Sequence, residues 1–147
     1  MIYVYLDHSL IDLILRNRPF ILELPKIGEK DIGFISLIEG ENLLPFIPKR
    51  IYWIYDVLNG NKRGGHYHNN LEQIIICLSG KLTISLESAS GEKDKFILDH
   101  PSKALYLPAK YWRDIIFEDN AILLCIASEN YNENDYIRDY KQFLNNK

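Results

Sequence analysis

Short runs of apolar and β-branched residues, separated by turn residues, recur along most of this chain and constrain its fold most. Val, Ile, Tyr, Phe and Thr dominate the runs, and Gly, Pro, Asn and Asp bound them. Many short strands at this spacing predict an all-β sandwich or barrel and argue against alternating strands and helices. The predicted strands cover residues 33–39, 50–57, 71–78, 81–87, 103–108, 113–117 and 121–127, with a tight hairpin at Ser79 and Gly80.

The C-terminal segment has a helical periodicity instead. Its apolar residues recur along one helical face, at Tyr136, Ile137, Tyr140, Phe143 and Leu144. Asn132 is suited to cap such a helix, with Glu133 and Asp135 in its first turn. We therefore predict a C-terminal helix that packs over one end of the barrel. The first twenty residues are predicted to form a strand and a short helix.

Length and composition limit the class of protein. A chain of 147 residues matches one domain, residues 1–147, and shows no composition break. A net charge of −3 without a basic block argues against a nucleic-acid or membrane partner. Cys77 and Cys125 lie inside apolar runs, as reduced core thiols do. Without a basic leader or a long apolar span, we expect a cytoplasmic protein.

A histidine pair is the strongest candidate for chemistry. In "RGGHYHNNLEQ" a strand would send His66 and His68 to one face and Tyr67 to the other. Two imidazoles on one face suit either a metal site or acid–base catalysis, because neutral imidazole binds metals and also exchanges protons near neutral pH. The remaining histidines, His8 and His100, are expected at the surface.

The spacing around the pair resembles the first metal motif of the cupin superfamily, which are small double-stranded β-barrels. Gly60, His66 and His68 fit the first half of that motif. Fitting its closing glycine to Gly80 puts Gln73 where the glutamate ligand should be. A carboxamide is a poor substitute for a carboxylate at a divalent ion.

In the first motif, taking Glu72 instead of Gln73 as the glutamate ligand would put the closing glycine out of step. The second cupin motif also departs from metal binding. In "PAKYWR" Pro108 is kept, but Arg113 stands at the position of the last histidine ligand. Arginine has no lone pair to offer, and its permanent charge repels a cation. The sequence therefore predicts no metal and no cofactor, and favours acid–base chemistry.

Several other residues are candidates for binding. Arg50 and Arg63 flank apolar strands, and guanidinium groups at a barrel opening suit a diphosphate through bidentate hydrogen bonds. Tyr52, Tyr106 and Trp112 are candidates for an aromatic surface under a nucleotide base, although such residues more often belong to a core.

Four segments together resemble the dTDP-4-keto-6-deoxyglucose 3,4-ketoisomerases, which are metal-independent cupins. These segments are "RIYWIYDV", "RGGHYHNNLEQIIICLSG", "LYLPAKYWRD" and "ASENYNENDYIRDY". The resemblance extends from about Gly33 to Leu144 and leaves residues 1–27 outside as an N-terminal extension. It implies a cupin-type double-stranded β-helix, or jelly-roll barrel, and a homodimer. It also implies a dTDP-linked keto sugar as substrate, in a bacterial pathway for deoxyamino sugars of lipopolysaccharide, S-layer or capsule.

The resemblance also implies the roles of residues. His66 and His68 match the two active-site histidines of the family, and Arg50 and Arg63 match arginines that hold the diphosphate or the sugar. The further positions near the ligand are Tyr52, Gln73 and Arg113. Departures from the family pattern are Ile32, Asn69 and Asn70. Ile32 and Arg113 lie where the family varies with product stereochemistry.

The chemistry implied is a keto shift from carbon 4 to carbon 3 through an enediol. One imidazole would move the proton from carbon 3 to carbon 4, and the other would serve the hydroxyl proton or the oxyanion. We favour His66 as the carbon base. Two alternatives are a 3,5-epimerase of the same sugar and a non-catalytic sugar-nucleotide binding module. An epimerase usually needs a His–Asp dyad and a tyrosine acid, for which the sequence shows no motif.

Overall fold

The computed structural model describes residues 17–39 and 43–145 and is built almost entirely from β-strands. One short α-helix and one 3₁₀ turn, Glu133–Asp135, complete this part of the chain. The strands are β1 (Phe20–Glu23), β2 (Lys26–Glu29), β3 (Gly33–Ser36), β4 (Arg50–Ile54), β5 (Lys62–His68), β6 (Gln73–Ser88), β7 (Lys93–Leu98), β8 (Lys103–Leu107), β9 (Tyr111–Ala127) and β10 (Tyr136–Ile137), and the helix is α1 (Tyr140–Asn145). The predicted all-β class is confirmed.

Two long antiparallel strands, β6 and β9, form the centre of the main sheet. They pair from Gln73 opposite Ala127 to Ser88 opposite Tyr111. β7 and β8 add to β6, β4 and β5 add to β9, β1 adds to β8, and β10 adds to β5. Among residues 17–39 and 43–145, these eight strands do not pair into a closed ring, and β2 and β3 form a separate two-stranded sheet. Four of the other strands, β4, β5, β7 and β8, thus pair directly with the β6–β9 ribbon.

Alternation along β6 buries both faces of the ribbon. Ile74 and Ile76 pack on one face with Tyr106, whereas Ile75 and Cys77 point to the other. We call the larger cluster on that second face the apolar core. Each fully buried Leu, Ile or Phe side chain contributes about 1.5–3 kcal/mol to stability. The largest fully buried members of the apolar core are Ile75, Leu82, Ile84, Leu98, Leu105, Leu107, Phe117 and Leu123.

The predicted hairpin at Ser79 and Gly80 is wrong, because the chain continues there as one bent strand. Gly80 has φ +73°, and a Cβ on it would lie 2.6 Å from the Cα of Ala121. Opposite it, Asp119 and Asn120 have φ values of 56° and 54°. Left-handed residues facing one another bend both strands as a β-bulge does, without reversing the chain. The runs predicted as four separate strands are therefore the two halves of β6 and of β9.

The predicted C-terminal helix is shorter than expected. Asn132 does cap a turn, accepting from the Asn134 amide at 3.0 Å, but the turn is 3₁₀ and ends at Asp135. Tyr136 and Ile137 then pair with β5 as a strand, because hydrogen bonding to an existing sheet outweighs the weak local helical preference. Within residues 132–145, only α1 is α-helical.

Several further segments bear on the predictions. The predicted strands do not include β1, β2, β5 and β7, although the shared face of the histidine pair presupposes a strand at β5. The strand and helix predicted for the first twenty residues lie outside the described residues as far as residue 16, and β1 begins at Phe20. In the part of the chain that the structure describes, no helix is long and apolar enough to cross a membrane.

Candidate active site

The two histidines of β5 meet on one face of the strand, as alternation predicts. Their ring centroids are 4.9 Å apart in an edge-to-face arrangement. Tyr67 points to the opposite face, where its ring lies 5.3 Å from that of Phe143 in α1. Gly64 makes this placement possible, because a Cβ there would lie 2.5 Å from the Arg113 carbonyl oxygen. A side chain at residue 64 would therefore push β5 away from β9.

Hydrogen bonds define the tautomer of each imidazole. His66 Nδ1 lies 3.1 Å from the Gly64 carbonyl oxygen, and His68 Nδ1 lies 3.2 Å from Oδ2 of Asp135. A carbonyl or a carboxylate oxygen only accepts, so Nδ1 must be the donor in both rings. In the neutral form, Nε2 of each histidine therefore holds the free lone pair. Both rings are set up to accept a proton at Nε2.

The surroundings keep both imidazoles uncharged. Burial, followed by the positive charge of Arg113, lowers the pKa of His66 to about 4. The same two causes, in the same order, lower the pKa of His68 to about 2. The Asp135 carboxylate favours a charged His68 and opposes this shift, but His68 is only 1% exposed, so the effect of burial is the larger. Neutral imidazoles at physiological pH are bases.

A hydrogen-bonded chain of polar side chains lies next to the histidines. Arg113 is the cross-strand neighbour of His66 and donates through Nη1 to Oε1 of Gln73. The Gln73 amide in turn donates to the Tyr52 hydroxyl at 2.8 Å and to Cys125 Sγ at 3.1 Å. We call His66, His68, Tyr52, Gln73 and Arg113 the polar cluster. The structure brings together these five predicted site residues.

Arg113 is buried, and no carboxylate of the described residues forms an ion pair with it. It is 2% exposed, and its Nε and Nη2 atoms have no hydrogen-bond partner among the described residues. Burial lowers the pKa of its guanidinium to about 10, which still leaves it charged at neutral pH. Unpaired buried donors are costly, so their presence marks a place where an acceptor from outside the chain fits.

Arg50 stands at the rim of the polar cluster, beside an open pocket of about 510 Å³. Its guanidinium lies over the rings of Tyr52 and Tyr131, at 5.1 and 5.5 Å, and its buried Nε has no partner in the described residues. Asp135 and Tyr136 line the same pocket. The pocket therefore adjoins the histidines and offers both a cation and aromatic surface to a ligand.

Other candidates lie outside the polar cluster. Arg63 is exposed on β5, and no hydrogen bond or ion pair joins it to the polar cluster within the described ranges. Tyr106 is fully buried on the other face of the sheet and donates to Glu72 at 2.5 Å. Trp112 packs against Tyr140, at 5.0 Å between ring centroids. Neither aromatic residue forms a surface for a base here.

Asp135 and Tyr136 are site neighbours that the sequence did not predict. No sequence motif indicates a His–Asp dyad, yet the structure pairs His68 with Asp135 and sets the Tyr136 ring 4.2 Å from His68 and 5.1 Å from His66. Both residues were assigned to the helix, and Asp135 is 67 residues from His68 in sequence. The sequence feature that could have indicated both residues is the "DYIRDY" tail, which belongs to one of the four segments that resemble the family.

The donor set is poorly suited to a divalent cation. The Gln73 oxygen at the expected ligand position is already taken by Arg113, whose charge repels a cation. Among residues 17–39 and 43–145, no three His, Cys, Asp or Glu side chains lie close enough to hold a metal ion. Metal independence stays a prediction to be tested.

Known proteins share both sequence and fold with this chain. Residues 17–147 match the family model "FdtA: WxcM-like, C-terminal". The chain is 32% identical over 124 residues to TDP-4-oxo-6-deoxy-α-D-glucose-3,4-oxoisomerase of Aneurinibacillus thermoaerophilus, covering 84% of this chain and 88% of the relative.

Solved structures of similar sequence have the same architecture. QdtA, a sugar 3,4-ketoisomerase of Thermoanaerobacterium thermosaccharolyticum in complex with TDP, superposes with a TM-score of 0.82 at 32% identity, over 91% of this chain and 96% of QdtA. A 3,4-ketoisomerase of Helicobacter canadensis gives 0.80 at 37% identity, over 86% and 95%. The cupin-type fold is thereby confirmed, and the chain belongs to the FdtA, WxcM-like family of sugar 3,4-ketoisomerases.

Proposed function

We propose that this isomerase converts dTDP-4-keto-6-deoxyglucose to a dTDP-3-keto-6-deoxyhexose at the polar cluster. The observation that supports this most is the pair of neutral imidazoles beside the buried Arg113 guanidinium, two of whose nitrogens have no partner among the described residues. The Aneurinibacillus relative is named for the same keto sugar, and a His-to-Asn variant of QdtA was solved in complex with TDP-4-keto-6-deoxyglucose.

The isomerisation needs two proton transfers and no redox partner. Nε2 of His66 takes the proton from carbon 3, which the carbonyl at carbon 4 acidifies, and returns it to carbon 4. His68 moves the hydroxyl proton from the oxygen on carbon 3 to the oxygen on carbon 4. Between the loss of the proton from carbon 3 and its return to carbon 4, the sugar is an enediol in its anionic form, in which the remaining hydroxyl proton passes through His68 from one oxygen to the other. Each imidazole ends neutral, so atoms and charge balance over the cycle.

Arg113 supplies the electrostatic part of the mechanism. Its free Nε and Nη2 donors and its charge stabilise the negative oxygen of the enediolate. Gln73 orients the guanidinium through Oε1 and is itself held by the Tyr52 hydroxyl. A charge already in place in a buried site needs no reorganisation during the reaction.

The arginines near the surface bind the nucleotide. Arg50 contacts the diphosphate from the rim of the pocket. The pocket volume of about 510 Å³ suits a small-molecule ligand such as a nucleotide sugar. We keep Arg63 as a second diphosphate contact, since its exposed guanidinium lies three residues before His66 on the same strand. Tyr131 offers a ring to the base.

The assembly and setting are proposals of the same kind. Residues 1–147 form one domain, and two copies form a homodimer. Exposed apolar side chains on and beside β4, Ile51, Trp53 and Tyr55, support a contact between copies, since each is more than half exposed. The enzyme works in the cytoplasm without a metal or cofactor, and its product feeds an aminotransferase that makes a deoxyamino sugar.

A 3,5-epimerase remains the second candidate because of one observation. The pairing of His68 with Asp135, beside Tyr136, has the residue types that an epimerase uses. An epimerase would remove the proton at carbon 5 while the ketone stays at carbon 4. The two reactions therefore differ in which carbon exchanges its hydrogen.

Incubation with the keto sugar in D₂O, followed by NMR, tests the proposal. We expect the ketone to move to carbon 3 and deuterium to enter carbon 4, incompletely where His66 returns the same proton. Recovered substrate should gain deuterium at carbon 3. Early deuterium at carbon 5 with the ketone still at carbon 4 would establish the epimerase. Binding without any conversion would identify a non-catalytic module.

A further inference from the structure

Asp135 lies at the centre of a compact set of hydrogen bonds that ties the C-terminal segment to the end of β5. Its Oδ1 accepts from the Asn70 backbone amide at 2.9 Å and from the Asn70 side-chain amide at 3.1 Å. Its Oδ2 accepts from the Leu71 amide at 3.3 Å and from His68 Nδ1 at 3.2 Å. Four donors thus converge on one carboxylate, which makes its position rigid.

His68 needs such a partner because its ring is buried among cations. Its Nδ1 proton points at Asp135, whereas Arg50, Arg113 and Arg138 all act against a charge on the ring. In the described part of the chain, Asp135 is the only acidic side chain that forms a hydrogen bond or ion pair with either catalytic histidine. Its carboxylate therefore opposes three positive charges.

We infer that Asp135 is a positioning residue for the isomerisation, which holds His68 in the Nδ1–H tautomer and stabilises the ring when it takes up a proton. The inference rests on the proposed function for His68. A fixed Nδ1–H leaves the Nε2 lone pair towards the substrate, as the aspartate of a serine-protease triad does for its histidine. The ion pair with Asp135 forms only while His68 holds the transferred hydroxyl proton.

The alternative is that Asp135 only anchors the tail. Its bonds to Asn70 and Leu71 would serve that purpose without any effect on the reaction. The two roles differ in what they alter. Loss of an anchor lowers the stability or the order of the segment, whereas loss of a positioning residue changes the proton on His68 and the turnover of correctly folded enzyme.

The test uses Asp135→Asn, with Asp139→Asn as its matched control. The carboxamide keeps the size of the side chain but removes its charge and one of two acceptors, so four donors compete for one oxygen. Asp139 lies in the same segment, where its Oδ1 accepts from the Lys141 amide at 2.8 Å, and asparagine caps a helix as well as aspartate does. The control therefore makes the same chemical change away from the histidines.

Two readouts separate the roles. In ¹⁵N-labelled full-length protein, His68 Nδ1 should give the protonated signal in wild type and in Asp139→Asn, and should lose part or all of it in Asp135→Asn. The kcat should fall about 10- to 100-fold in Asp135→Asn with KM little changed, as expected for loss of one hydrogen bond to a charged group that strengthens when His68 takes up a proton.

The outcomes separate this inference from the proposed function. An unchanged His68 signal in folded Asp135→Asn would overturn the inference, whatever happens to turnover. An altered signal with full turnover would also overturn it. Wild-type protein that fails to isomerise the keto sugar would instead reject the proposed function. If Asp135→Asn does not fold, the wild-type spectrum decides alone, and an Nε2–H tautomer of His68 overturns the inference.

Discussion

The apolar core and the polar cluster are both buried, yet they differ in how completely their side chains are satisfied. The apolar core consists of side chains that need only close packing, and Leu82, Ile84 and Phe117 are fully enclosed. The polar cluster is equally enclosed at Arg113 and His68 but leaves two guanidinium nitrogens without partners in the described residues. The core stabilises the fold, whereas the cluster costs stability and serves the chemistry.

The largest expected effect is on catalysis at the histidines of the polar cluster. Replacing His66 or His68 by Asn should lower kcat by about 10²–10⁴-fold with little change in KM, because acid–base catalysis is lost while binding is kept. Steady-state kinetics on the keto sugar measure this. His100→Asn is the control, since His100 is exposed and bonded to Ser102 at 2.7 Å. Near-normal turnover in either variant would contradict the acid–base assignment.

Arg113→Met should separate the two regions most clearly. Turnover should fall about 10²–10³-fold as the oxyanion loses its donors. The melting temperature should hold or rise. Removing the buried charge of Arg113 is favourable and offsets the loss of its hydrogen bond to Gln73.

Leu82→Ala in the apolar core is the opposite case. It should lower the unfolding free energy by about 2–5 kcal/mol and leave the turnover of folded enzyme unchanged. If Arg113→Met were the more destabilising of the two variants, the contrast between cluster and core would be wrong. Thermal unfolding and kcat, measured on both variants, give the comparison.

Lowering the pH should reduce folding stability through the histidines of the polar cluster, because the apolar core has no group that is protonated between pH 6.5 and 4. An unfolded histidine binds its proton near pH 6.5, whereas burial and Arg113 lower the pKa of His66 to about 4 in the folded state. The unfolded chain thus binds more protons below pH 6.5. The stability from this group is fully present above that pH and is lost as the pH falls towards 4.

The double variant His66→Asn, His68→Asn isolates this effect. Its stability should fall less steeply than that of wild type between about pH 6.5 and 4, because its two titrating imidazoles are gone. Urea unfolding at a series of pH values measures the difference. Parallel curves for the two proteins would mean that the folded-state pKa values of the histidines are not lowered.

The smallest expected effect is that of chelation. Gln73 and Arg113 replace two ligands of the cupin metal motif, so activity should survive dialysis against EDTA unchanged. Elemental analysis should find no stoichiometric Zn, Fe, Mn or Ni. Loss of turnover on chelation, restored by one metal, would show that the polar cluster holds a cation after all.

Local sequence predicted a large part of the fold and of the candidate site. The β-strands followed from apolar alternation, and β4, β6, β8 and β9 lie within or across the predicted runs. The shared face of His66 and His68 followed from the two-residue period of a strand. Prediction failed at Gly80 and at Asp135. The turn residue Gly80 bends a continuous strand, and the helix-capping residues before Asp135 form a 3₁₀ turn.

What the sequence determined by itself is therefore what neighbouring residues dictate, namely strand content, side-chain face and the residue types of the site. Only the tertiary structure decided that Gln73 and Arg113, near opposite ends of the β6–β9 ribbon, meet across its bend. It also decided that Asp135 reaches His68 through β10. Both contacts depend on pairing between distant segments, whose free energy comes from the whole sheet and is not encoded in any short window of residues.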